Sequence, residues 1–387
     1  METKIWNKYF IFIVIINTLN FFSFNMTATI LSKYLVGLGA SISTAGVIVG
    51  LFSITSLICR PFSGIMADTF RNVSILKISS LMIALGYLGF TLTSNMALLT
   101  LLRILIGIGF AFSGTCQISL ASKYIPDDKM GEGIGYLGLG NVLGSAVAPG
   151  LGLAIADAFG MPVTFLVSSL FSVANFLLLH LFQEPKKERR EKQIIHLDDI
   201  IAVKALPFTA ISATFSFSNG IIASYLVLFS DKLNLTGISV YFTIYALFLF
   251  LIRPLAGKLM DKRGLRITVI PGLLLTALSM LLLAGSNSLS MILLSAVLRA
   301  IGQGAGQPSL QAACINLVGK EKSGVSTSTF YLGADIAQGF GPMIGGAILM
   351  YLTGITGYRA LFRLCALLFG IAVLVFIQLT RKEGKAK

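Results

Sequence analysis

Long apolar stretches alternate with short polar interruptions along the chain, in the rhythm of membrane crossings. An α-helix needs about twenty mainly apolar residues to cross a hydrocarbon layer. Twelve such runs recur, at about 8–31, 43–66, 74–94, 97–121, 132–157, 162–183, 206–230, 237–259, 267–286, 289–313, 325–352 and 358–380. Membrane strands would show short segments of alternating polarity instead. The pattern predicts an all-α membrane protein with twelve transmembrane helices. The first run has a basic start followed by YFIFIVII, as a secretory leader would. Its length, its lack of a small-residue cleavage site and the many spans after it predict a retained first helix.

One long polar segment, EPKKERREKQIIHLDDIIAVK (184–204), divides six spans from six. The expected organisation is an N-terminal six-helix bundle (1–183), a linker (184–204) and a C-terminal six-helix bundle (205–387). The linker reads as a solvated connector. Within it, IIHLDDIIAV has the alternation of an interfacial amphipathic helix.

The two halves repeat one another. RPFSGIMAD (60–68) returns as RPLAGKLMD (253–261), so Arg60, Gly64 and Asp68 recur 193 residues later as Arg253, Gly257 and Asp261. Arg103 in the fourth span pairs with Arg299 in the tenth, at an offset of 196. GSAVAPGLG (144–152) in the fifth span answers QGFGPMIGG (338–346) in the eleventh, and Pro149 to Pro342 is again 193 residues. Three landmarks in one order predict two pseudo-symmetric six-helix bundles, related by an axis along the membrane normal.

Composition strengthens the membrane reading. Of 387 residues, 55% are hydrophobic and 12% charged, with a mean hydropathy of +0.86; soluble domains carry about 25% charged residues. The formal charge of +14 suggests nucleic acid only until the charges are placed. With the N-terminus inside, most Lys and Arg fall on inner segments, and Lys33, Lys232, Arg359 and Arg363 are the outer ones. The charge is therefore a topology signal. It predicts a multi-pass protein of the cell (plasma or inner) membrane with both termini cytoplasmic, and no nucleic-acid partner. Cys59, Cys116, Cys314 and Cys365 stand singly inside apolar runs, and His180 and His196 are far apart. Neither set has metal-ligand or triad spacing, so no metal, cofactor or enzymatic activity is expected. No GxxxxGK[ST] loop occurs in the sequence, so no nucleotide-binding loop of that kind is expected.

With these motifs assembled, the chain resembles the major facilitator superfamily of secondary transporters. GIMADTFR (64–71) is similar to that family's signature between helices two and three, with Phe70 near the usual Gly; GKLMDKRGLR (257–266) is the fuller match. Arg103-x-x-x-Gly107-x-Gly109 resembles the fourth-helix motif. Gly144 to Gly152, with Ala148 before Pro149, resembles the fifth-helix motif of the twelve-helix drug and small-molecule exporter branches. The resemblance implies alternating access, with Asp68 facing the start of the eleventh helix and Asp261 that of the fifth. Gating and inter-bundle candidates are thus Gly64, Asp68, Arg71, Gly257, Asp261, Gly144, Pro149 and Pro342. It also implies a cavity lined by helices one, four, seven and ten.

Polar stripes fall on those helices. Asn17, Asn20, Phe21 and Phe24 share one face of the first helix by i, i+3, i+4, i+7. Arg299, Gln303, Gln307 and Gln311 step by four along the tenth. Gln117 on the fourth helix and Phe215 and Asn219 on the seventh complete the candidate lining. A guanidinium in a span costs roughly 2.5–3.5 kcal/mol on insertion scales, so Arg103 should face protein or water, either to bind an anionic group or to tune a proton site. Asp335 is the acid clearly inside a span, and with Arg103 it is the candidate for proton coupling. The expected function is a proton-coupled exporter of small amphipathic molecules. The alternative is an uptake symporter or facilitator for a small polar metabolite such as a sugar or organic anion. The expected partners are a small-molecule substrate, protons and the lipid bilayer, with the chain acting as a monomer.

Overall fold

A computed structural model describes residues 5–28, 30–40, 42–182, 184 and 200–383. The described residues form thirteen α-helices and no strands: α1 (Lys8–Ala28), α2 (Leu31–Gly37), α3 (Ile42–Thr69), α4 (Asn72–Leu92), α5 (Met96–Tyr124), α6 (Met130–Phe159), α7 (Met161–Leu178), α8 (Leu206–Lys232), α9 (Ser239–Arg263), α10 (Leu265–Gly285), α11 (Leu289–Val318), α12 (Ser323–Tyr351) and α13 (Gly354–Glu383). Helices dominate because each satisfies its backbone polar groups internally, which hydrocarbon demands. Eleven of these helices are long and apolar enough to cross a membrane. Among the twelve predicted spans, α12 is the more polar one: it is 29 residues long but carries the hydroxyl run Ser326–Thr329, Asp335 and Gln338.

The short α2 was not anticipated. It follows the first span closely and is held by Tyr34, whose Oη donates to the Phe90 carbonyl at 2.9 Å. Tyr34 packs among Leu35, Phe90 and Phe165. Most of the predicted linker, 185–199, including the start of the amphipathic segment, lies outside the described residues.

The chain divides into two compact units. One comprises Met1–Pro126, Tyr136–Ala202 and Val318–Thr329; the other comprises Asp127–Gly135, Val203–Leu317 and Phe330–Lys387. Two helix starts group away from the rest of their own helices. The first turns of α12 group with the N-terminal helices, and the start of α6 groups with the C-terminal ones.

In the N-terminal unit α4 packs on α5 and α7, α3 on α5, and α1 on α7. In the C-terminal unit α13 packs on α8 and α10. Lipid tails supply no hydrophobic drive between helices, so small residues and hydroxyls carry many of these seams. Ser23 donates to the Ser168 carbonyl at 2.8 Å, joining α1 to α7. Ser169 joins α7 to the Ala84 carbonyl of α4, also at 2.8 Å, and Ser279 joins α10 to the Ser295 carbonyl of α11 at 2.8 Å.

The two copies of the repeated Arg-Pro…Asp motif are followed by different turns. In the C-terminal copy the chain passes from α9 to α10 through Gly264 at φ +88°, a left-handed value that glycine adopts without strain. The equivalent position in the N-terminal copy is Arg71, at φ −67° and ψ 121°, which precedes α4 with extended backbone. The missing glycine noted in GIMADTFR therefore reflects a turn that does not need one.

Candidate functional site

The two aspartates of the repeated motif make the same contact in each unit. Asp68, near the end of α3, accepts from the backbone N–H of Gly324 at 2.7 Å on Oδ1 and of Val325 at 2.8 Å on Oδ2. Asp261, near the end of α9, accepts from Gly131 and Glu132 at 2.8 Å each. The acceptor pairs sit 193 residues apart, as do the donor pairs. Gly324 and Gly131 are each the second residue of their helices, where N–H groups have no partner within the helix. A carboxylate there meets both free donors and the positive end of the helix dipole. Glycine at 64 and 257 permits the approach. A Cβ on Gly64 would lie 2.9 Å from Ser328 Cβ and 3.0 Å from Val325 Cα. One on Gly257 would lie 2.7 Å from Glu132 Cα. The C-terminal contact has an added ion pair, Lys258 Nζ to Glu132 Oε1 at 3.2 Å.

Arg71 makes a different contact. Its Nη2 donates to the Glu184 carbonyl at 2.7 Å. The Glu184 carboxylate accepts from the Val73 N–H at 2.9 Å and from Lys123 at 3.0 Å. Glu184, the first residue of the polar connector, thus caps α4 and ties it to the end of α5. No sequence signal had marked it. A second buried link runs from Asn72 of α4 to the Ser119 hydroxyl of α5 at 3.2 Å, and from Ser119 to the Ser323 hydroxyl at the start of α12 at 3.0 Å.

The glycine-rich α6 lies along α1. A Cβ on Gly144 would be 2.8 Å from Phe21 Cβ. Asn17 belongs to this seam, donating to the Leu137 carbonyl at 2.7 Å. Pro149 and Pro342 stand inside α6 and α12. The Pro342 carbonyl accepts from Tyr225 Oη at 2.6 Å.

The remaining N-terminal candidates gather around aromatic rings. Phe24 stacks on Phe52 with centroids 4.6 Å apart, and Phe110 lies 4.8 Å from Phe24 and 5.9 Å from Phe21. The Arg103 guanidinium lies 4.8 Å over the Phe52 ring and donates to the Val49 carbonyl at 3.4 Å. Asn20 and Gln117 are buried. Gln117 donates to Ser113 at 3.0 Å, while Asn20 Nδ2 and Gln117 Oε1 find no hydrogen-bond partner.

The C-terminal candidates form a connected polar network. Arg299 donates to Tyr241 Oη at 3.3 Å and to Asn219 Oδ1, and its guanidinium lies 4.5 Å over the Tyr245 ring. Tyr245 Oη donates to Gln303 at 2.8 Å, Gln303 to Gln307 at 2.9 Å, and Gln307 to Ser216 at 3.4 Å. Within the i+4 stripe of α11, Gln303 and Gln307 are thus bonded to one another and Arg299 meets them through the Tyr245 side chain, while the buried Gln311 Nε2 finds no hydrogen-bond partner. Phe215 stands apart from it. It is fully buried against Phe369 of α13, centroids 5.1 Å apart, and beneath Gly306. Asp335 is half-buried in α12. Tyr241, Tyr245 and Phe52 were not singled out in the sequence. A signal was present, because Phe52 and Tyr245 are themselves 193 residues apart, so each half sets one ring beneath its span arginine.

The family model of the Major Facilitator Superfamily matches residues 13–241 and 208–387. The chain belongs to the Major Facilitator Superfamily. It is a multi-pass membrane transporter and not an enzyme. Superfamily relatives include the multidrug resistance protein MdtG of Enterobacter lignolyticus, 25% identical over 362 residues that span 89% of this chain and 85% of that one. The multi-drug resistance efflux pump PmrA homolog of Lactococcus lactis is 26% identical over 356 residues, 87% and 86% of the two chains. Among solved structures, the human organic anion transporter MFSD10 superposes with a TM-score of 0.80 at 15% identity, over 95% of this chain and 98% of that one. At that identity the likeness bears on the fold alone.

Proposed function

We propose that this transporter exports small amphipathic organic molecules across the cell membrane by alternating access, driven by exchange for protons. The observation that carries the mechanism is the pair of equivalent carboxylate contacts, Asp68 on the start of α12 and Asp261 on the start of α6. Contacts of this strength, about 0.3–2 kcal/mol each, can hold one state and still be broken in the cycle. The outward direction rests on the relatives named as multidrug resistance and efflux proteins, together with the Pro149 motif and the aromatic cluster of Phe21, Phe24, Phe52 and Phe110. In this reading the bundles are 1–183 and 205–387, the termini face the cytoplasm, the chain works as a monomer, and Asp335 exchanges the proton, with Arg103 the other candidate for proton coupling.

A second reading, uptake of a small polar metabolite such as a sugar or organic anion, is favoured by one observation, the polar network of Arg299, Tyr245, Gln303 and Gln307. Proteoliposomes with an imposed pH gradient separate the two, with lipophilic dyes assayed beside sugars and organic anions. Export predicts gradient-driven dye movement that falls at least tenfold in Asp335→Asn. Uptake of a sugar with dyes inert rejects export, and undiminished gradient-driven transport in Asp335→Asn rejects that residue as the proton site.

A further inference from the structure

Resting on the transporter reading, we propose that the C-terminal unit carries an anion-binding subsite centred on Arg299, and that the transported molecule bears an anionic group (carboxylate, sulfonate or phosphonate) that docks there. Arg299 is 3% exposed, yet no carboxylate pairs with it among the described residues. Its partners, Tyr241, Asn219 and the Tyr245 ring, are all neutral. Its Nε is buried without any hydrogen-bond partner. Buried charges are ordinarily paired, and neutral acceptors offset only part of a guanidinium's lost hydration. The group that completes this arrangement is an anion with two coplanar or forked oxygens, which guanidinium recognises better than any other side chain does.

Two further observations favour a ligand site over a packing role. Asn219, Tyr245 and Gln307 are only partly buried, so polar side chains of this network stay accessible beside the buried Arg299. The repeat has also diverged at this position. Arg103 keeps the ring beneath it but turns to the Val49 carbonyl within a cluster of phenylalanines. Arg299 instead bonds the Tyr241 hydroxyl and Asn219, and the ring beneath it carries a hydroxyl, Tyr245 Oη, that donates to Gln303. A neutral ligand would leave the charge uncompensated, and a cationic one would be repelled.

The test is thermal unfolding of the purified full-length protein in detergent at fixed sodium chloride. Three probes share one ring: 1-naphthalenesulfonate, neutral 1-naphthalenesulfonamide and 1-naphthyltrimethylammonium. The sulfonate is expected to raise the unfolding midpoint saturably, at a concentration at least tenfold below that needed by either other probe. The half-saturating concentration should rise at least tenfold in Arg299→Gln and by a smaller factor in Arg299→Lys, which keeps charge but loses the fork. If Arg299→Gln does not fold, Arg299→Lys and Tyr241→Phe carry the comparison. The proposal is overturned if the neutral or cationic probe binds as well as the sulfonate, if added chloride reproduces the shift, if none of the three shifts wild type, or if affinity is unchanged in the folded variants. Binding is read without transport, so loss of proton-driven export with sulfonate binding intact rejects the export reading alone. Export without sulfonate binding rejects the subsite alone.

Discussion

A carboxylate set against two backbone N–H groups is a sensitive contact, because neutralising it leaves the shape intact and removes the attraction. Asp68→Asn and Asp261→Asn each present an amide whose NH2 cannot face a helix start, so one backbone donor loses its acceptor. The expected loss is about 1–2 kcal/mol, or roughly a 5–30-fold rise in the open fraction of that contact. Hydrogen exchange reads it locally. Asp68→Asn should speed exchange in residues 323–329, at the start of α12, while leaving 127–135 unchanged. Asp261→Asn should do the reverse, by a smaller factor because the Lys258–Glu132 ion pair still ties α9 to α6. Equal effects on both segments from either variant would show that the contacts are not local latches.

At the scale of the element, close approach decides which glycines matter in α6. Eight glycines lie along 131–152, and the sequence offers no ranking beyond their four-residue spacing. Gly144 is buried against Phe21, whereas Gly150 is exposed with nothing within 4 Å of a Cβ built there. Gly144→Val should therefore force α6 from α1 and cost about 1–3 kcal/mol, seen as a lowered unfolding midpoint. Gly150→Val should leave the midpoint close to wild type; equal losses would remove the seam from the account. The helices themselves were legible because hydrocarbon imposes a length and a polarity on each crossing. The aspartate contacts were legible because duplication preserved one offset. Asn17 and Phe215 were harder. Both have the spacing of a lining residue, but one amide is bonded to the Leu137 carbonyl and the other ring fills a space among α8, α11 and α13. Period alone places a residue on a face and does not say which neighbour that face meets. Glu184 was unreadable for a related reason, since its partners Val73 and Lys123 lie more than sixty residues away in sequence or bond through backbone.

For the whole molecule, the telling feature is that two helices are shared. The start of α12 groups with the N-terminal unit and the start of α6 with the C-terminal unit, each bound there by an aspartate of the repeated motif. Alternating access, as proposed, requires these starts to detach in every cycle, so fixing one of them should stop transport without unfolding anything. Ser119 of α5 and Ser323 of α12 offer the means, with hydroxyls 3.0 Å apart and both side chains buried. In Ser119→Cys/Ser323→Cys, a membrane-permeant oxidant should form a disulfide between α5 and the start of α12. Transport in proteoliposomes is then expected to fall more than tenfold and to return on reduction, while each single variant keeps its rate under the same oxidant. The single variants matter because Cys59, Cys116, Cys314 and Cys365 are free thiols already present. A fully cross-linked protein that transports at the uncross-linked rate would mean that the start of α12 never leaves α5. The aspartate contacts would then be fixed joints, and the moving parts would have to be sought elsewhere in the fold.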